Sequence, residues 1–329
     1  MVKRATAEDV ARLAGVSRAT VSRAFTPSAS ISDKSRAKIL DVAKSIGYHR
    51  NALARALIKQ ESNLVAIVTG KLDNVYDAQV FDELTQRLQD GRKWGLVVHT
   101  DDDDISQLLN DALGFPLDAV IVRGGSVSSE AIEQCTRVGV PLILTGMEYA
   151  DFQADFVCCD NHLGAHLAVD ALVEQGAKRI AYIGGPESHH AEQTRRAGFI
   201  ERMRVHGLEP VWFDRGDFSF NSGFELGKQM LAQPKRPDGV FCYNDTMAIG
   251  VLNAAREHYG LSVPDDLAIV GFDDIPMAAW PCFELTTIRN AAGPTADAVT
   301  KLLERRLNQP DASPQTIRIR PELVRRRTA

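Results

Sequence analysis

No two cysteines in this sequence stand as C-x-x-C, and the five present, Cys135, Cys158, Cys159, Cys242 and Cys282, make an odd number. An odd count without zinc-ribbon spacing favours reduced core thiols over a disulfide or zinc framework. Long apolar runs are missing as well. The start, Met1-Val2-Lys3-Arg4, has no signal-type apolar stretch, and no run reaches the ~20 residues that span a bilayer. The expectation is a cytoplasmic protein with no membrane partner. Catalytic signatures are equally scarce. There is no G-x-S-x-G, and Gly184-Gly185-Pro186 lacks the Lys-Ser/Thr ending of a phosphate loop. Asp101 to Asp104 lacks the glycine and spaced ligands of a calcium loop and reads as a solvated loop. His162 and His166 are four apart, just after Cys158 and Cys159, and read as helix-surface histidines beside a core strand. His189-His190 reads as a loop without metal spacing. No enzyme, metal or cofactor is therefore expected.

What the chain does have is size and a lopsided charge. Its 329 residues exceed one typical domain, with 44% apolar and 25% charged residues to build cores and surface. The net charge of -5 hides an asymmetry. Residues 1–60 hold twelve Lys/Arg against four Asp/Glu, whereas the remainder holds 26 against 39. A basic head on an acidic body points to a nucleic-acid-binding segment joined to a domain of another kind.

The head carries its own signals. Thr6 caps a first helix, with Asp9 at the capping-box position. Val10, Leu13 and Ala14 fall on one face, and Gly15 ends the helix where only glycine turns without strain. Val16 plugs the corner. Ser17 caps a second helix from Arg18 to Phe25, whose Val21 and Phe25 face inward. Two short helices about a glycine turn are the helix-turn-helix pattern. On the open face lie Arg18, Ala19, Ser22 and Arg23. An arginine can fork onto guanine O6 and N7 in the major groove. Ser17, Thr20 and Ser22 offer short hydroxyls suited to phosphates. A third helix follows Pro27, capped by Ser32, striped by Ile39, Val42, Ala43 and Ile46, and closed by Gly47. Asn51 to Ile58 is alanine-rich and too short to be a stable helix alone.

The runs "EDVARLAGVSRATVSRAF" and "SDKSRAKILDVAKSIGYHRNALARAL" closely resemble the head of the lactose repressor/galactose repressor family of bacterial regulators. The resemblance implies that residues 51–62 are a hinge helix and linker, the helix folding when two subunits meet on a pseudo-palindromic operator. It also implies that Leu57 wedges into the minor groove, where unstacking is offset by contacts that the bend permits. Arg18, Ala19 and Arg23 match the family's base-reading positions. Ala19 departs from the polar residue often found there and offers only methyl contact. Thr6, Asn51 and Ala54 complete the expected DNA-contacting set.

From Asn63 the periodicity changes. Short apolar runs (64–68, 95–99, 119–122, 141–144, 156–159, 180–183, 211–213, 239–242 and 267–270) alternate with helical segments near 77–91, 104–113, 128–138, 161–175, 189–206, 221–232 and 245–258. This alternation predicts parallel sheets with helices on both faces, and about ten strands suggest two lobes. The stretches "DNHLGAHLAVDALVEQGAKRIAYIGGP", "RRAGF", "NDTMAIGVLNAAREHYGLSVPDDLAIVGFDD" and "LTTIR" resemble the periplasmic-binding-protein-like body of the same family. The implied architecture is an all-α helix-turn-helix head (1–50), the hinge segment (51–62) and an α/β two-lobed body (63–329). The N-lobe is expected at about 63–160 and 289–315, and the C-lobe at about 161–288 and 316–329. The resemblance also places a small effector between the lobes. Its expected contacts are Arg195, Asn244, Asp273 and Phe218 from the second lobe, and Tyr76 and Arg123 from the first. An aromatic wall with few convergent polar groups suits a sugar. Two arginines together would favour an anionic one.

The reading is a sequence-specific transcriptional regulator, a repressor, controlled by a sugar or sugar derivative. The ending "LVRRRTA" carries no leucine heptad tail, so a homodimer is expected rather than a tail-mediated tetramer. Two other classes compete. A solute-binding protein is opposed by the DNA-binding head, and an effector-independent DNA binder would have a pocket filled by its own side chains.

Overall fold

The computed structural model describes residues 4–26, 29–50, 62–72, 74–99, 106–123, 129–148 and 154–329. The chain divides into two units, Met1–Ser62 and Asn63–Ala329.

The head has three helices, α1 (Ala7–Ala14), α2 (Arg18–Ala24) and α3 (Asp33–Ser45). Thr6 and Asp9 form the reciprocal capping box, the Thr6 hydroxyl donating to Asp9 Oδ2 at 2.7 Å. Gly15 turns the chain at φ 69°, in the left-handed region open to glycine. Val10, Ala11, Ala14, Val21, Ala24, Ile39 and Ala43 are the core. Four of these seven are alanines, so the helices can approach closely. This core corrects the inward set expected for α1. Leu13 is 51% exposed and Ala11 takes the buried position, because the small residues of α1 set which arc fits against its neighbours. Phe25 lies one residue beyond α2 and packs edge-on against Tyr48 at 5.7 Å. Arg36 of α3 donates to the carbonyls of Ala24, Thr26 and Ala29, closing the open end of α2. Asn51, Ala54 and Leu57 lie outside the described residues.

The body is built on two six-stranded sheets. The first comprises β1 (Leu64–Thr69), β2 (Trp94–His99), β3 (Ala119–Arg123), β4 (Leu142–Thr145), β5 (Asp155–Cys159) and β11 (Thr316–Ile319). Their order is β11-β5-β4-β3-β1-β2, with every pairing parallel. The second comprises β6 (Ile180–Gly184), β7 (Trp212–Arg215), β8 (Gly239–Cys242), β9 (Ala268–Asp273), β10 (Thr286–Arg289) and β12 (Glu322–Val324). Its order is β12-β10-β9-β8-β6-β7, parallel except for β12 against β10. Central strands such as β3 and β9 are buried throughout, as strands covered on both faces must be.

Helices α4 (Val75–Asp90) and α11 (Ala292–Asn308) cover one face of the first sheet, and α5 (Ser106–Ala112) and α6 (Ser129–Val138) the other. In the second, α7 (Asn161–Glu174) and α8 (His190–Val205) cover one face, and α9 (Phe220–Leu231) and α10 (Asp245–Asn253) the other. Leu84 and Leu88 of α4 are fully buried against β1 and β3, each stabilising the lobe by about 2 kcal/mol.

The chain passes between the sheets after β5, after β10 and between β11 and β12. The third passage lies between Ile319 and Glu322, which corrects the expected one near Gln315. Residues Thr316–Ile319 add to the first sheet beside β5, not to the second. These last strands are short and carry alternating polar residues, so apolar runs do not reveal them. Helix α11 also escapes the apolar-run reading, because Gly293-Pro294 resembles a turn. Pro294 sits in the first helical turn, where its missing N–H would have no partner anyway.

Candidate functional site

The head presents α2. Ser17 caps it, accepting from Thr20 N at 3.2 Å, and the Ser17 and Thr20 hydroxyls are 2.9 Å apart. Val21 and Ala24 are buried, so the helix period leaves Arg18, Ala19, Ser22 and Arg23 exposed. Arg18 meets Glu8 at 3.5 Å with both side chains in solvent, a contact too weak to hold the guanidinium from another partner. Arg50, which the sequence pattern did not single out, donates to the Phe25 carbonyl at 3.2 Å and reaches Ser22 Oγ at 3.4 Å. The Thr6 hydroxyl is engaged in its capping box. Those hydrogen bonds, with Arg12 nearby, hold the Asp9 carboxyl at about 2.

The body gathers the other candidates. In each sheet the strand order reverses, between β1 and β3 and between β6 and β8. At such switch points the loops leaving the strand ends diverge and open a crevice. Arg123 ends β3, Asp273 ends β9, Asn244 follows β8, and Tyr76 opens the helix after β1. Arg195 projects from α8, the helix after β6.

Arg195 is the most heavily contacted. Its Nε donates to Asn161 Oδ1 at 2.8 Å and its Nη1 to the Tyr243 carbonyl at 2.6 Å. Its guanidinium lies 3.5 Å from the centre of the Phe272 ring and 4.4 Å from that of Tyr243. The remaining nitrogen, Nη2, stands 3.8 Å from Asp273 Oδ1, beyond hydrogen-bond reach. Both side chains are at most 5% exposed. Asp273 has one other side-chain partner among the described residues, the Asn290 amide at 3.4 Å. Burial pushes its carboxyl up to about 7; Arg195 works against the rise and Asp77 adds to it. Asp273 also sits at φ 113°, a backbone conformation that L-residues rarely adopt.

Around this pair, Phe218 stacks obliquely on Tyr243 at 5.1 Å and edge-on against His189 at 4.7 Å. Phe218 has φ 73°, and its carbonyl accepts from the Asn244 amide at 3.1 Å. Asn244 Oδ1 accepts from Met247 N at 2.9 Å, so this side chain both caps α10 and holds the Phe218 loop. From the first lobe, Arg123 donates to Asp77 at 2.7 Å, while its buried Nε has no hydrogen-bond partner among the described residues. Tyr76 and Val75 pack against the core of the second lobe. Burial raises the Tyr76 phenol above its ordinary range, and the nearby Asp273 raises it further. The six body residues expected at the site thus fall in one region. Each arginine there faces a carboxylate, Asp77 or Asp273. Reading the sequence missed Asn161, Asp77, Tyr243 and Phe272. Asn161 lies in the quoted "DNHLG" stretch, which was its only available signal.

Glu192, one turn before Arg195, is buried and also escaped notice. It accepts from the Tyr182 hydroxyl at 2.6 Å and from Gly185 N at 2.9 Å, and burial raises its pKa. Its carboxylate fills the space that a side chain at Gly184 would need, so it anchors the turn after β6.

Among the described residues no helix is long and apolar enough to cross a membrane. Residues 6–51 match the family "Bacterial regulatory proteins, lacI family", and residues 169–329 match "Periplasmic binding protein-like domain". The chain is 30% identical to catabolite control protein A of Priestia megaterium over 313 residues, 92% of each chain. Its fold superposes on the crystal structure of the Lac repressor dimer bound to operator and the anti-inducer ONPF with TM-score 0.90, at 24% identity and 99% coverage of both chains. The complex of the transcriptional regulator CelR with cellobiose gives TM-score 0.73 at 25% identity, covering 99% of this chain and 100% of that one. With a helix-turn-helix head, a two-lobed α/β body and full-length likeness to its regulators, the chain belongs to the lacI family of bacterial regulatory proteins and is a sequence-specific DNA-binding regulator with an effector-binding body, not an enzyme.

Proposed function

We propose that the protein is a homodimeric repressor, acting in the cytoplasm on a pseudo-palindromic operator, with DNA affinity set by a sugar or sugar derivative between the two lobes. Arg18, Ala19 and Arg23 read bases. Thr6, Ser17, Thr20 and Ser22 hold the backbone. Asn51, Ala54 and Leu57 act at the centre of the operator. Arg195, Asp273, Phe218 and Asn244 grip the effector from one lobe, and Tyr76 and Arg123 from the other. The Lac repressor structure, a dimer on operator, and the CelR–cellobiose complex support this reading by analogy.

One observation carries the effector assignment. Arg195 and Asp273 are buried, face each other at 3.8 Å and share no hydrogen bond. With Asp273 otherwise held only by the long Asn290 contact at 3.4 Å among the described side chains, this donor and acceptor can both turn to a third group. A hydroxyl pair on a sugar donates to one and accepts from the other, while Phe218 offers a ring face. Because each arginine already faces a carboxylate, a neutral polyol suits the site better than an anion. The mechanism is a population shift. An effector that prefers one degree of lobe closure changes the spacing of the paired hinge segments, and so DNA affinity.

The test is operator binding by fluorescence anisotropy across neutral sugars, sugar acids and sugar phosphates. A neutral sugar should shift the operator Kd of the wild type and not that of Arg195→Ala. Response to sugar phosphates alone would restore the anionic alternative. A second reading also has an observation behind it. Arg195 is sandwiched between Phe272 and Tyr243 and Asn244 is spent on backbone, as in a pocket occupied by its own side chains. An operator Kd indifferent to the whole panel would favour that effector-independent regulator.

A further inference from the structure

Outside the cleft, one cluster of side chains has the composition and geometry of a ligand set. His162 and His166 are one helical turn apart on α7, so both project toward the same side. Their ring centres are 4.4 Å apart. By themselves they are two surface histidines, as their spacing suggested. The third member comes from α8, 35 residues beyond His166 in the chain.

Gly198 brings it there. A Cβ at position 198 would sit 2.7 Å from the His162 carbonyl oxygen, so α8 crosses α7 at a distance only glycine allows. Glu201, three residues later, then falls on the face turned to the histidines. One carboxylate oxygen lies 3.3 Å from His162 Nε2 and the other 3.6 Å from His166 Nε2. All three donor groups lie within 4.8 Å of one another. Four ligands at about 2.0–2.1 Å around a tetrahedral zinc are separated by roughly 3.3 Å, so little closure is needed.

A second observation is independent of spacing. His166 Nε2 is buried from solvent and has no hydrogen-bond partner among the described residues. An imidazole nitrogen left so exposes an unused lone pair or proton to a poor environment. The neighbouring carboxylate, Asp170, is not available to satisfy it. Asp170 takes both arms of Arg202, at 2.7 and 2.8 Å, and His206 at 2.7 Å. That clamp ties α7 to α8 one turn away, holding the two helices at the spacing the cluster requires.

We propose that His162, His166 and Glu201 form a zinc-type divalent metal site that staples α7 to α8, with water as the fourth ligand. Two neutral imidazole nitrogens and one carboxylate oxygen are donors of zinc-binding type. The staple lies next to the effector cleft along the chain. Asn161, beside His162, takes the Arg195 Nε, and Arg195 is on the same helix as Glu201. Metal occupancy would thus limit relative movement of the two helices that position Arg195.

The experiment is zinc titration of the metal-free full-length protein, read by competition with a chromophoric chelator, with cobalt substitution as a spectroscopic check. The expected result is one zinc per chain and the visible absorption of four-coordinate cobalt. His162→Ala and His166→Ala should each weaken binding by more than the roughly 10–100-fold lost with an outer partner of a metal ligand. Glu201→Gln, a conservative change on an exposed side chain, should weaken it while leaving the metal-free melting curve unchanged. Cys282→Ser removes an exposed thiol and should leave binding intact. Stoichiometric zinc retained by the double histidine variant, lost on Cys282→Ser, or never bound by wild type would each overturn the site. None of these readouts involves a sugar or operator, so they stand apart from the effector assignment.

Discussion

The head and the body solve opposite problems. The head hides seven small or medium apolar residues and places its chemistry in solvent, on one exposed helix face. The body buries its chemistry. Arg195 and Asp273 are among its least accessible charged side chains, and the site is assembled from segments more than a hundred residues apart. An exposed arginine costs the fold almost nothing and can be changed for specificity alone. A buried one is part of the fold, so function and stability cannot be separated there. Substitutions on the two units should therefore behave differently.

Arg195→Ala should have the largest effect. It removes hydrogen bonds to Asn161 and Tyr243, two ring contacts and the only cation near Asp273 among the described residues. Leaving that carboxylate unpaired should destabilise the body by about 3–5 kcal/mol as well as abolish the effector response. Denaturant unfolding of the isolated body would check the first part. Loss of the effector response with full stability would mean that burial is not the constraint claimed.

Asp273 sharpens the contrast through pH. Its folded pKa is raised, to about 7 against an ordinary 3.8. The folded state therefore binds the proton more tightly than the unfolded one. The associated stability is fully present below about pH 4 and is lost as pH rises through 7. Asp273 should raise the melting temperature of the body at pH 5 relative to pH 8 by about 5 °C, for a contribution near 2 kcal/mol, against the opposite trend of His166 and His190, which burial holds below their ordinary range. Asp273→Asn should shrink that difference. Glu192 and Asp245, also raised by burial, keep it from vanishing. Effector binding runs the other way. If hydroxyls donate to an ionised Asp273, affinity falls below pH 7, which calorimetry at pH 6 and 8 would reveal.

In the head, Arg36→Ala removes the donor that closes the end of α2, at a loss of about 2 kcal/mol. The melting of the body should not move. Arg23→Ala should instead leave stability unchanged and relax discrimination at one base position by about 1–3 kcal/mol. Operator selection followed by sequencing reads this directly, and an unaltered sequence preference would remove Arg23 from the base-reading set.

The same contrast explains what the sequence made legible. The head is local: Thr6, Gly15, Ser17 and Gly47 each act within a few residues of their own position, so spacing reveals their roles. The body's strands were visible where they are central and apolar. They were invisible where β10, β11 and β12 are short and half-polar at the lobe crossings. The cleft residues at strand ends came from the family resemblance, and their partners Asn161 and Asp77 were missed. Such contacts join distant segments, and Glu201 beside His162 and His166 is the clearest case. Neither helical period nor motif connects residues that meet only because Gly198 lets two helices touch.

Leu13 tests the locality of the head on the smallest scale. Apolar spacing assigned it to the core, yet it is half exposed while Ala11 and Ala14 are buried. Leu13→Ala should change head stability by no more than about 0.5 kcal/mol, because little apolar area returns to water. Val10→Ala, at a fully buried position, should lose about 2 kcal/mol. Thermal melts of the isolated head compare the two. Similar losses from both would mean that α1 buries the face predicted by its period after all, and that the alanines do not set the packing. A neutral Leu13→Ala that weakened operator binding would instead put this side chain on the surface that meets DNA.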